Sequence, residues 1–285
     1  MKKLLLLAAG MLLVCGAFAG CGKEAEPAPA PANEPAPAAE AAPAAENAKL
    51  VVGATAKPHA EILEVVKPIL AENGVDLEIK TFTDYVQLNP ALNEGQIDAN
   101  FFQHIPYLDD YNANNGTDLA WVVQVHNEPM GVYSKTLTSL DEVADGAQVG
   151  IPNDTTNCGR ALMVLESAGL IKLAEGVGIA ATEADIVENP KNLSLQQMDA
   201  AMLPRALEDM ALCVINSNYA IEGGLNPVQD ALVMEPSDSP FGNIIAVRAE
   251  DAENENIAKL VEAITSDEVR TFIQDTYEGS CVPCF

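Results

Sequence analysis

The chain has 285 residues, 42 acidic against 15 basic, for a formal net charge of −27. So acidic a chain, with no cluster of Lys or Arg, excludes nucleic acid as a partner, because binding would require phosphates to be neutralised. Beyond the N-terminal stretch no run is long and apolar enough to cross a bilayer, and acidity spread along the chain marks a soluble, self-repelling surface.

Residues 1–20 read as a secretory signal. Met1-Lys2-Lys3 is a short basic start, Leu4 to Ala19 is almost wholly apolar, and the run is shorter than the roughly 20 residues a spanning helix needs. It ends Phe18-Ala19-Gly20-Cys21, which resembles a bacterial lipobox with Phe18 in place of the usual Leu. That resemblance implies a diacylated Cys21 as the mature N-terminus. Residues 22–48 hold twelve Ala, six Pro and five Glu, with no aromatic or large aliphatic side chain. Such a segment cannot bury enough apolar surface to offset the entropy of ordering, and its Ala-Pro pairs favour an extended tether. With Cys21 it forms an expected anchor region over 21–48, since two acyl chains hold a membrane where one is marginal.

In chain order, Leu50-Val51-Val52-Gly53-Ala54 is predicted as a buried strand. Ile62, Val65, Val66, Ile69 and Leu70 recur at helical spacing, and Gly74 is placed to end that helix. Leu77 to Thr81 alternate as a second strand. Trp121 to Ser134 reads as extended chain interrupted by Glu128-Pro129-Met130-Gly131. A new strand opens at Gln148-Val149-Gly150-Ile151, followed by a helix through Leu162, Leu165 and Leu170. Gly242 to Arg248 is an extended run that would return the chain to its first half. Ile257, Leu260, Val261 and Ile264 mark a last helix, which Phe272 and Ile273 continue past Ser266. This alternation implies an α/β architecture with mainly parallel sheets. Two separate strand–helix starts imply two lobes, 49–134 with 237–285 and 135–236. Two crossing segments would form their hinge, with a ligand in the cleft.

Of six cysteines, Cys15 leaves with the signal and Cys21 carries lipid, so Cys158, Cys213, Cys281 and Cys284 remain. Outside the cell an even number permits disulfides. Cys281-Val282-Pro283-Cys284 has redox spacing, but a proline and the chain end oppose the helix that would activate a thiol. A structural bridge or free thiols are expected instead. The cysteine spacing fits no zinc motif, and His59, His104 and His126 form no i, i+4 pair, so no metal or cofactor is expected. Gly-x-Ser-x-Gly and phosphate-cradling glycine loops are absent, so an enzyme is not expected.

Asp98-Ala99-Asn100-Phe101-Phe102-Gln103-His104-Ile105-Pro106-Tyr107, Glu128-Pro129-Met130-Gly131, Ile151-Pro152-Asn153-Asp154, Leu203-Pro204-Arg205-Ala206-Leu207 and Val214-Ile215-Asn216-Ser217-Asn218-Tyr219-Ala220 occur in this order. With Thr83-Asp84-Tyr85-Val86-Gln87 and Asp238-Ser239-Pro240, they resemble the methionine-binding lipoproteins of the NlpA/MetQ family over essentially all of 49–285. The resemblance implies a two-lobed periplasmic-binding-protein fold of type II. It also implies a monomeric, lipid-anchored receptor on the extracytoplasmic face that delivers L-methionine to an ABC permease and its ATPase. Another apolar amino acid or a methionine-containing dipeptide is the alternative ligand. Arg160, in the first turns of a helix, is the candidate for the ligand carboxylate through its planar fork. Asn218 and Asn243, with Asn216 beside them, offer amide groups for the ammonium and the remaining carboxylate lone pairs. Tyr85, Phe102, His104 and Tyr107 would surround the thioether, whose sulfur packs well on aromatic edges. Cys158 stands where the family rarely has cysteine; a Cys158–Cys213 bridge would pin the Arg160 helix to the strand before Asn216.

Overall fold

The computed structural model describes residues 47–237 and 239–285, so the signal, Cys21 and nearly all of the tether lie outside the described residues. The strands are β1 (Ala48–Thr55), β2 (Val75–Phe82), β3 (Ala99–His104), β4 (Ala120–Asn127), β5 (Gly131–Tyr133), β6 (Gln148–Pro152) and β7 (Lys172–Leu173). They continue with β8 (Ile186–Glu188), β9 (Ser194–Met198), β10 (Leu212–Ile215), β11 (Val233–Met234), β12 (Gly242–Val247) and β13 (Val282–Pro283). One sheet has the order β13-β4-β12-β3-β1-β2, a second has β11-β5-β10-β6-β9, and β7 pairs with β8.

β1 is parallel to β2 and β3, whereas β12 is antiparallel to β3 and β4. The sheets are therefore mixed, not mainly parallel as local alternation implied. The chain leaves the first sheet at the end of β4 and re-enters beside that point as β12, so β12 must run against β4. Residues 128–130 form one crossing, and 235–237 with 239–241 are the described parts of the other. They lie side by side: Glu235 N–H donates to Met130 O at 2.8 Å, and Asn127 Nδ2 to Ser237 O at 2.9 Å. β5 belongs to the second sheet, paired with β10 and β11, although the division expected at 134/135 groups it with the first. Pro129, with no N–H to give a ladder, separates β4 from β5.

Each sheet has its own core. The helix Glu61–Glu72 buries Ile62, Leu63, Val66 and Leu70 against the first sheet, together with Leu260, Ile264, Val269 and Ile273. These last four sit on two helices, Glu255–Ile264 and Asp267–Tyr277, rather than on one continuous helix. Ser266 caps the second by accepting from Val269 N–H at 3.4 Å, which serves orphan donors that a continuous helix would not have. In the second half, Leu162 and Leu165 of the helix Thr155–Ser167 pack on Val149, Ile151 and Val214. That helix stops before Gly169, whose φ of 72° suits glycine, so Leu170 lies just past it. A further apolar cluster joins the halves: Tyr85, Leu88 and Phe102 from the first meet Tyr133, Ile215 and Tyr219 from the second.

The four described cysteines are free. The Cys158–Cys213 bridge that the sequence left open does not form, because successive strand residues face opposite ways. Leu212 and Val214 face the cluster holding Cys158, while Cys213 and Ile215 face the seam between the halves. Cys281 and Cys284 flank β13, a strand and not a thiol-activating helix. Among the described residues no helix is long and apolar enough to cross a membrane.

Candidate functional site

All eight sequence-predicted residues, Tyr85, Phe102, His104, Tyr107, Arg160, Asn216, Asn218 and Asn243, line one cavity, and Gln103, Glu128, Asn157 and Ser217 complete its wall. Only about 10 Å³ is free inside it, room for about one water, so its walls stand almost closed on one another. A roomier groove of about 910 Å³ runs past Asp84, Asp199, Arg205 and Glu222. It is open and gathers scattered charges of both signs, so the enclosed cavity is the stronger candidate.

Strand ends and helix starts build the wall. Phe102, Gln103 and His104 close β3, and the register sets Asn243 of β12 opposite His104 on one side and His126 of β4 on the other. His104 caps the helix Ile105–Asn115, its Nδ1 accepting from Tyr107 N–H at 3.2 Å, which turns Tyr107 toward the cavity. Asp154 caps the helix Thr155–Ser167 by accepting from Asn157 N–H at 2.9 Å, and Arg160 follows in the second turn. Asn216, Ser217 and Asn218 lead from β10 into the helix Ser217–Glu222.

Arg160 is buried, and one edge of its fork is already taken. Nε lies 3.1 Å from both oxygens of Glu235, and Nη2 donates to Glu235 Oε2 at 2.5 Å and to Glu128 O at 2.7 Å. The Phe241 ring lies 4.3 Å from the guanidinium carbon. Nη1 takes part in none of these bonds, so it is the nitrogen left to meet a carboxylate. The amides around it are half-satisfied. Asn218 Oδ1 accepts from Tyr85 OH at 2.5 Å while its Nδ2 is buried without a partner. Asn216 Nδ2 donates to Asn157 Oδ1 at 2.9 Å while its own Oδ1 has none. Buried polar groups are nearly always paired, because an unpaired one costs about 1–3 kcal/mol. Two in one cavity call for a polar ligand.

Glu128 is the single acid in the wall. Its Oε2 accepts from Asn218 N–H at 3.0 Å, and its Oε1 accepts from His126 Nε2 at 2.7 Å, with His59 Nε2 3.2 Å away. Burial pushes its pKa up, but the two imidazoles and Arg160 together outweigh burial and hold it below the usual carboxylate range. Burial pushes His59 down to about 4. Burial and the Arg160 charge push His104 down to about 3. Both histidines are therefore neutral at pH 7. The donor atoms of His59, His126 and Glu128 all lie within 4.8 Å of one another, so the fold gathers two histidines that the sequence spaces widely, and leaves His104 apart from them.

Tyr85, Phe102 and Tyr107 form an apolar corner, with ring centroids 5.6 Å apart for Tyr85–Phe102 and Phe102–Tyr107 and 6.0 Å for Tyr85–Tyr107. Ser217 Oγ donates to Pro129 O rather than to a base. The cavity thus offers a cation, an anion and unpaired amides at one side and aromatic edges at another, an arrangement that binds a small zwitterion with an apolar tail. Sequence reading missed Gln103, Glu128, Asn157, Ser217 and Glu235. Glu128 carried a legible signal: an acid two residues from His126 at the end of an apolar run. Glu235 carried none.

Two sheets with separate cores, two crossings and an enclosed polar and aromatic cavity at the crossings define a two-lobed solute-binding protein. The chain belongs to the NlpA lipoprotein family, whose model matches residues 50–285. It is 45% identical over 234 residues, 81% of this chain and 86% of the relative, to the D-methionine-binding lipoprotein MetQ of Salmonella typhimurium. A nutrient binding protein from Burkholderia cenocepacia, solved bound to methionine, superposes with a TM-score of 0.81 at 43% identity, covering 83% of this chain and all of that one. The periplasmic substrate-binding protein of an ABC transporter from Coxiella burnetii superposes with a TM-score of 0.79 at 39% identity, covering 82% and 100%.

Proposed function

We propose that this protein captures methionine on the extracytoplasmic side of a membrane, held there by lipid on Cys21, and presents it as a monomer to an ABC permease and its ATPase. The observation that carries this reading is the convergence, inside one cavity, of an Arg160 Nη1 and an Asn218 Nδ2 with no partner among the described residues, a buried ionised Glu128 and an aromatic corner. In this assignment the ligand carboxylate meets Arg160 Nη1 and Asn218 Nδ2, the ammonium meets Glu128 and Asn216 Oδ1, and the thioether lies against Tyr85, Phe102 and Tyr107. Relatives that bind methionine by name, and a neighbour solved with methionine in place, support the choice of ligand. The lobes we assign are 47–127 with 242–285 and 131–234, with the crossings as hinge.

Titration calorimetry with L-methionine, on protein refolded from denaturant to strip carried-over ligand, tests the reading. One-to-one binding that Tyr107→Ala weakens is expected. Absence of heat with methionine and its D-form, together with binding of a different amino acid or a methionine dipeptide, would replace the ligand and keep the receptor.

A further inference from the structure

We infer that His59 and His126, neither of which lines the cavity, are positioning residues that make the site select ligands with a free, cationic α-amine. This rests on the amino-acid reading above. His126 is fully buried behind Glu128, and its Nε2–H holds Glu128 Oε1 at 2.7 Å while Asn218 N–H holds Oε2 at 3.0 Å. Both carboxylate oxygens are thereby fastened from the protein side, and N–H donors favour the ionised form.

His59 acts on the neighbouring amide. His59 Nε2 faces two oxygens, Asn243 Oδ1 at 3.0 Å and Glu128 Oε1 at 3.2 Å, which assigns the imidazole proton to Nε2 and leaves Nδ1 to accept from Thr55 Oγ1, 2.7 Å away. Nε2–H then donates to Asn243 Oδ1 at 3.0 Å. That bond fixes which way the Asn243 amide faces: Oδ1 points back at His59, and Nδ2 is left without a partner among the described residues. The back wall therefore presents an anion and an amide N–H donor side by side, matching the ammonium and carboxylate of a free amino acid. A des-amino or N-acylated ligand leaves the one buried anion of the wall without a counter-charge, and sites built around a polar partner discriminate strongly against ligands that lack it.

Calorimetry on the full chain would compare L-methionine with 4-(methylthio)butanoate, the des-amino acid of the same tail. His126→Phe keeps a ring against His59 and Phe101, whose centroids lie 5.3 and 5.4 Å away, and removes the donor. His126→Gln and His59→Gln return an N–H donor. The wild-type protein should prefer L-methionine. His126→Phe should cut that preference roughly ten- to hundredfold, through L-methionine alone, as expected for a lost hydrogen bond to a charge. His126→Gln should restore most of it. Equal weakening of both ligands in His126→Phe, or an unchanged preference, would overturn the inference. So would stoichiometric zinc binding to the wild type with methionine affinity tracking metal content, because the cluster would then be a coordination site. If His126→Phe does not fold, an unchanged preference in both glutamine variants beside a lost one in His59→Leu still supports it, and a preference lost in all three overturns it. Wild-type protein that binds neither ligand would instead sink the amino-acid reading itself.

Discussion

Removing the Arg160 side chain does two things in this structure: it takes a guanidinium from the cavity, and it leaves the Glu235 carboxylate, about a tenth exposed, without its counter-charge. Breaking a buried pair from one side costs about 3–5 kcal/mol. Arg160→Ala should therefore lower the urea midpoint as well as abolish methionine binding. Glu235→Gln separates the two effects: it frees the Nε–Nη2 edge and should lose stability while retaining binding, read by urea melts and calorimetry on the same sample. The buried histidines give a pH signature. Unfolded, His59 and His104 take a proton near pH 6.5; folded, only at about 4 and about 3. Between those values the unfolded chain binds more protons, so stability falls as pH drops below about 6.5, reaching a loss of order a few kcal/mol per histidine near their folded pKa values. Urea melts from pH 7 to 4.5 should show the decline, and His104→Gln should flatten part of it. At this scale the sequence was most informative where residues sat in long motifs, as Phe102, His104 and Asn218 do. His59 meets Asn243 across 184 positions, a contact that no spacing encodes.

The helix Thr155–Ser167 carries Arg160 to the cavity, and one glycine sets how close it lies. A Cβ at Gly159 would stand 2.0 Å from the backbone oxygen of Ile179, which cannot swing aside as a side chain could. Gly159→Ala should push the helix outward, cost about 1–3 kcal/mol and weaken ligand binding, because Arg160 is the next residue; denaturant melts and calorimetry would show both. Helix faces were legible because their period is local: Ile62, Val66 and Leu70 are buried where the pattern put them. The C-terminal pattern was legible as helix but not as two helices, since Ile264 and Phe272 keep in step across the cap at Ser266. The direction of β12 was not legible at all, because it depends on where the chain re-enters the first sheet.

For the whole molecule, the seam of Tyr85, Phe102, Tyr133 and Tyr219 closes the cavity from both sheets at once. A ligand gripped from both halves stabilises the folded state by mass action, about 2.7 kcal/mol at a hundredfold excess over Kd. For a folded body of this size that corresponds to a rise in Tm of roughly 5–11 °C, measurable by thermal scanning with and without methionine. The guanidinium of Arg160 is bonded to both crossings, through Glu235 on one and the Glu128 carbonyl on the other. Atoms on an axle travel least when the arms swing. Arg160 would keep its place as the lobes part, so a carboxylate would find the same mooring whether the lobes stand open or shut.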